Sequence, residues 1–313
     1  MALCGMRLAL IVALLFGSAQ AETLKLAVGQ KGFWDTSIVA WGDRAGLFKA
    51  EGLDLEILYT DGGAQTQQAV ISGGVQIGIG TGTLGVFSAA VKNAPVRIIS
   101  AEWHGAGDLF WYAKTDGPIR SMADAGGKTA AFSSAGSSSN LVLLALLQAA
   151  GVKAQPTPTG GAGATLTQVM SGQIDIGWSV PPVGLNEVTA GQTRIVGRGT
   201  DIPALAGQTT RVNIANATWL KANRDVAIRF ARAYARSLAF AYNDPRAMDW
   251  YAEGLGIDVA QARKVHAEFY PVAAMQPDVI KGVEATLRDM ISEKRVPAGT
   301  TVEQLKAAID LLL

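Results

Sequence analysis

Gly62-Gly63-Ala64 leads through a helical stretch to Ser72-Gly73-Gly74-Val75-Gln76-Ile77-Gly78, and the same order returns as Gly160-Gly161-Ala162 and Ser171-Gly172-Gln173-Ile174-Asp175-Ile176-Gly177. With one residue inserted, the copies share a grammar: glycine-rich turn, helix, Ser-Gly stop, apolar strand. A separation of about a hundred residues is too long for a solenoid period and predicts two similar lobes. The chain holds 36 glycines, so two such turns also arise by chance, and the surroundings must support the repeat.

They do. Alternating or apolar runs predict strands over 23–28, 53–59, 75–79 and 96–101, with helical patterns over 36–48, 65–72 and 84–92 between them. Short strands alternating with helices predict an α/β chain with parallel sheets covered on both faces. Extended apolar stretches over 109–114 and 211–214 read as two crossings between lobes. The expected division is residues 22–113 with 209–313 as one lobe and 114–208 as the other. Beyond Ala217 helices are predicted over 226–242, 245–255, 259–269, 277–292 and 302–310, closing around the first lobe.

The amino terminus sets the compartment. Arg7, the apolar run Leu8 to Phe16, and Ala19-Gln20-Ala21 are the three parts of a cleavable secretory leader, residues 1–21. A membrane-spanning helix needs roughly 20 apolar residues, which this run does not reach, and no second segment reaches it either. Cleavage after Ala21 removes the single cysteine, Cys4, and takes Lys+Arg from 27 to 26 against 26 Asp+Glu. A neutral surface argues against nucleic acid and anionic membrane as partners and leaves small ligands and specific protein contacts.

Open α/β sheets bind ligands beyond the carboxyl ends of their strands, where helix N-termini present free N–H groups. Four turns qualify: 30–36, 80–83, 133–140 and 178–182. Serine occupies five of the seven positions from Ser133 to Ser139. Hydroxyls and N–H groups there suit a sulfonate, carboxylate or phosphate, although one serine is also an ordinary helix cap. Ser137, Ser138 and Ser139 are therefore candidate ligand contacts, with Thr81 and Thr83 beside them. Phe33, Trp34, Trp103 and Trp178 flank these turns and either wall a pocket or cover sheet edges. Trp41, Trp111, Trp219 and Trp250 read as core.

Glu102 and His104 bracket Trp103, and a carboxylate there suits a ligand amine. Lys31, Asp35, Asp108 and Arg211 lie near strand ends or crossings, with a surface salt bridge as the default for each. His266 reads as solvated. The chain carries no G-x-S-x-G elbow, no H-E-x-x-H and no phosphate-binding loop, and two histidines without cysteine are poor material for zinc. No catalytic residue, cofactor or metal is expected.

Gly46-Leu47-Phe48-Lys49-Ala50-Glu51-Gly52-Leu53, the first repeat copy, Ala94-Pro95-Val96, Ser121-Met122-Ala123-Asp124, Gly127-Lys128-Thr129 and Gly136-Ser137-Ser138-Ser139 together resemble the solute-binding proteins of the sulfonate, taurine, nitrate and thiamine-pyrimidine importers. The likeness runs from about Leu24 to about Gly256. It implies a type II periplasmic-binding-protein fold, two Rossmann-like lobes joined by two crossover strands, hinged closure on a small molecule, a periplasmic location and delivery to an ABC permease in the inner membrane. A monomer is expected. The family's ligand turns map onto Thr81–Thr83, Ser137–Ser139 and the Trp178 segment. Catalytic members depend on cysteine, or on a cysteine- and histidine-rich segment, both missing after cleavage. An organic anion is the expected ligand, a pyrimidine precursor or other flat heterocycle the alternative, and a ligand sensor or an enzyme of the same fold the alternatives from other classes.

Overall fold

The computed structural model describes residues 21–313; the expected leader, with Arg7 and Cys4, lies outside them apart from Ala21. Two five-stranded sheets carry the chain. The first is built from β1 (Glu22–Gly29), β2 (Leu53–Thr60), β3 (Ile77–Gly82), β4 (Val96–His104) and, much later, β10 (Thr209–Asn216), in the order β2-β1-β3-β10-β4. The second is built from β5 (Phe110–Lys114), β6 (Thr129–Phe132), β7 (Gln155–Pro158), β8 (Ile176–Ser179) and β9 (Thr193–Arg198), in the order β7-β6-β8-β5-β9. In both, parallel strands stand beside one antiparallel strand: β10 in the first, β5 in the second.

Those antiparallel strands are the two stretches expected to be crossings. Each is the strand by which the chain enters its new sheet, so the changes of sheet fall earlier, between His104 and Phe110 and between Arg198 and Thr209. The expected boundary at 113/114 is corrected accordingly. It would cut β5, whose residues pair with β8 and β9.

The repeat is more regular in three dimensions than the one-residue insertion suggests. Its helices are α2 (Gly63–Ile71) and α5 (Ala162–Met170), capped by Gly62 and Gly161. In each, a threonine before the helix pairs with one in its first turn, Thr60 with Thr66 at 2.7 Å and Thr159 with Thr165 at 2.6 Å. Thr66 and Thr165 each also donate to the carbonyl of the capping glycine. Gly62 therefore corresponds to Gly161, and the copies align without an insertion. The glycines that follow do one job twice. A Cβ on Gly78 would lie 2.9 Å from Val70 of α2, and one on Gly177 would lie 2.8 Å from Val169 of α5. Only glycine lets these helices sit that close to their strands.

The remaining helices are α1 (Trp34–Arg44), α3 (Thr83–Val91), α4 (Ser138–Ala150), α6 (Leu185–Thr189), α7 (Ala217–Ala222), α8 (Arg224–Asn243), α9 (Pro245–Leu255), α10 (Val259–Phe269), α11 (Val283–Ser292) and α12 (Val302–Lys306). Helix α8 packs on α1, and its Phe230 ring lies 5.4 Å from that of Phe48, tilted by 31°. The carboxyl terminus returns to the first sheet, where Asp310 N–H donates to the Ile98 carbonyl and Arg224 holds the Asp310 carboxylate through two 2.8 Å bonds. No helix among the described residues is long and apolar enough to cross a membrane.

Candidate functional site

Between the two sheets lies a cavity of about 40 Å³, lined among others by Gln30, Phe33, Asp35, Gly82, Ser137, Trp178 and Arg211. By that measure it has room for about three waters. Its walls are the strand-to-helix turns of both lobes, as the α/β rule requires. Larger grooves of 370 to 490 Å³ open on the surface, one of them along the lobe seam and sharing Gly63, Gly82 and Ser137 with the cavity, but none gathers an ion cluster of this kind.

The centre of the site is Arg211, placed by β10 between Gly82 of β3 and Trp103 of β4. Its guanidinium donates from Nη2 to Asp108 at 2.6 Å and from Nη1 to Ser138 at 3.4 Å. Nε lies 3.0 Å from an Asp35 oxygen as an ion contact that is not aligned as a hydrogen bond. The guanidinium also stands 5.1 Å over the Trp103 ring. Asp35 sits in the first turn of α1, where the helix end favours a carboxylate. Asp35 and Asp108 are 2% and 0% exposed, so these are buried ion pairs and not the surface salt bridges expected of them.

One oxygen of Asp35, one of Asp108 and both of Glu102 are buried and accept no hydrogen bond from the protein. Burial pushes the Glu102 carboxyl well above its usual range, and the Asp35 charge pushes it further against the opposing pull of Arg211. Burial also raises Asp108, countered by Arg211 beside it. Burial alone would lower Arg211, but Asp108, Asp35 and Glu102 together hold it above its ordinary range.

The serine run lies at the N-terminus of α4. Ser137 caps that helix by accepting from Asn140 N–H at 3.1 Å. Ser139 accepts from Ser133 N–H at 2.9 Å, and its hydroxyl pairs with those of Ser133 and Ser137 at 3.0 Å each. Most of the hydroxyls are thus engaged in building the turn, while Ser138 meets Arg211.

Of the ligand contacts expected from the sequence, Phe33, Ser137, Ser138, Ser139 and Trp178 line the cavity, as do Asp35 and Arg211, which read there as surface charges. Five others do not. Trp34 is fully buried among Trp41, Tyr242, Tyr251, His266 and Tyr270. Thr81 donates to the Val212 carbonyl at 2.7 Å, within the sheet. Thr83 and Glu102 are buried outside the lining, and Trp103 reaches the site only through Arg211. His104 is held by Thr209 and the Gln276 carbonyl, and burial lowers its pKa. His266 is half-buried and not simply solvated: its ring lies 4.0 Å from that of Trp34, and burial lowers its pKa.

The lobes touch around the cavity. Gly85 N–H donates to the Gly136 carbonyl at 3.2 Å, Ala162 N–H to Gln30 at 3.4 Å, Tyr270 hydroxyl to the Pro181 carbonyl, and Arg295 to Asn140. A Cβ on Gly82 would stand 2.2 Å from the Gly136 carbonyl oxygen. The cleft is therefore closed, backbone against backbone.

Two α/β lobes joined by two crossings and closed over a buried polar site define a periplasmic-binding-protein fold, and solved structures agree. The alkanesulfonate-binding protein SsuA from Xanthomonas axonopodis pv. citri, bound to MOPS, is similar with a TM-score of 0.75 at 16% identity, over 92% of this chain and 98% of its own. A Candida albicans gene product described as exhibiting the generic periplasmic binding protein fold gives 0.73 at 14%, over 92% and 96%. The periplasmic nitrate-binding protein NrtA from Synechocystis PCC 6803 gives 0.72 at 12%, over 91% and 84%. The chain belongs to the NMT1/THI5-like family, whose model matches residues 37–248. No curated protein matches the sequence.

Proposed function

We propose that this chain is the solute-capturing component of an ABC-type importer. It works in the periplasm as a monomer, closes two lobes over a small molecule and presents the closed complex to an inner-membrane permease. Residues 106–208 move as one lobe against residues 21–105 and 209–313. The observation that carries this reading is the cleft, where a buried ion cluster from both sides of the crossings is sealed by backbone contact between lobes. Fold relatives named as sulfonate- and nitrate-binding proteins support it. Catalysis finds little footing: the sequence's single cysteine is Cys4, and His104 and His266 do not line the cavity.

The expected organic anion is weakly supported. The serine hydroxyls mostly bond one another, and Arg211 already faces two carboxylates. The Phe33 and Trp178 rings at the cavity favour a flat nitrogenous solute as the second reading. A thermal-shift panel of alkanesulfonates, taurine, carboxylates, nitrate, pyrimidines and amines tests capture directly. A solute at 100 times its dissociation constant adds about 2.7 kcal/mol of stability. Closure is read by X-ray scattering: a hit that stabilises the protein without favouring the compact form refutes the hinged mechanism.

A further inference from the structure

We propose that the cleft selects an organic cation, seating an ammonium, amidinium or guanidinium group of the solute against Asp35. The inference rests on the cleft being the solute site and names what enters it.

The charge balance comes first. Among the described residues lining the cavity, Arg211 is the one cation, and it contacts two buried carboxylates, Asp35 at 3.0 Å and Asp108 at 2.6 Å. The formal sum of the three is negative. An anion enclosed here would approach Asp35 in the lining, with Asp108 behind Arg211 and no unpaired positive charge to meet it, in surroundings where burial strengthens such repulsion. A cation completes the cluster.

The hydrogen-bond inventory agrees independently. Asp35 is 2% exposed and lines the cavity, yet its Oδ1 accepts no hydrogen bond. Buried carboxylate oxygens are stable only when something donates to them. Asp108 Oδ1 and both Glu102 oxygens are unpartnered as well, so the unmet demand of this acidic cluster is for donors. Of the donors that would serve an anion, the Ser133, Ser139 and Ser137 hydroxyls bond one another and Arg211 bonds Asp108, while Trp178 Nε1 in the lining is buried without a partner. A forked N–H group is the complement of Asp35, and the Phe33 and Trp178 rings lining the same cavity suit a cation face-on.

Matched isosteres test the assignment, because acetamidinium and acetate, or benzamidinium and benzoate, differ chiefly in charge. Binding to the full protein is measured by titration calorimetry and thermal shift, on wild type and on Asp35→Asn. The expected result is binding of the amidinium of each pair, little of the carboxylate, and a loss of about 30-fold or more in amidinium affinity in Asp35→Asn. Preference for the carboxylates overturns the cation assignment and leaves solute capture standing. Unchanged amidinium affinity in a folded Asp35→Asn protein overturns the proposed seat. Binding of neither class, with no compaction in scattering, counts against this inference and against capture together. Should Asp35→Asn not fold, the wild-type isostere preference decides the charge class. Asp108→Asn then replaces it, the same loss of amidinium affinity supporting the acidic cluster as the seat and unchanged affinity overturning it.

Discussion

Replacing Arg211 by methionine keeps much of the side-chain volume and removes the one charge that two buried carboxylates share. At 2.6 and 3.0 Å each contact contributes a gross attraction of about 6 kcal/mol at an effective dielectric near 20, much of it offset by desolvation of the ions. Removal exposes that desolvation, because Asp35 and Asp108, 2% and 0% exposed, stay buried without a counter-ion. The expected loss is about 3–5 kcal/mol, or a fall in Tm of roughly 6–20 °C for a protein of this size. Chemical unfolding near pH 5 and near pH 8 measures it. The sign with pH is also fixed. Without arginine nothing opposes the burial that raises the Asp108 carboxyl above its unfolded value, so Arg211→Met regains stability as pH falls and loses it as pH rises through the raised value. Adding Asp108→Asn should recover part of the loss, a non-additivity that a shared contact requires. A loss below about 1 kcal/mol, equal at both pH values, would refute the reasoning by showing that the carboxylates reach water.

Gly82→Ala adds a methyl that clashes with Gly136 only when the lobes are shut; folding stability should change by under about 1 kcal/mol while scattering shows the closed form depleted, and an unchanged curve would contradict the closure contact. Glu102→Gln replaces a buried carboxyl whose pKa is raised, so the variant should gain on wild type as pH rises from about 4 toward 8; an equal stability difference at both ends would mean that Glu102 binds its proton no more tightly in the folded state than in the unfolded one. Ser137→Ala removes the α4 cap and should cost about 1 kcal/mol in urea unfolding, so no loss would mean that the cap is replaced.

The architecture was largely legible because its signals are local. Glycine-rich turns, apolar strands and helical spacing repeat within short windows, and the two copies around Gly62 and Gly161 share even their threonine pairs. The misplaced crossings show the limit: an extended apolar stretch such as Phe110–Lys114 looks the same inside a sheet or between sheets, and only pairing decides. The site was legible by position and not by role. The serine turn does face the cavity, yet which hydroxyls remain free depends on the Ser133–Ser139 and Ser137–Asn140 bonds. Asp35, Asp108 and Arg211 looked like surface charges because their burial comes from β10 slotting between β3 and β4 from far along the chain. Phe33 and Trp34 are adjacent, but one helix turn sends the first to the cavity and the second into the aromatic cluster.

The approach of Gly82 to Gly136 has a consequence for discrimination. With no side chain between the lobes at that seam, the shut state leaves no yielding layer that can adapt to a guest of the wrong size or charge. Many solutes can enter an open cleft and be wetted there at little penalty. On the proposed capture, guests would be sorted when the seam comes together, since that step would strip the water and bring the guest directly against the ion cluster. Under that proposal selectivity would reside in the latching equilibrium more than in the first encounter, and poor guests would be rejected by fast release from an unlatched complex.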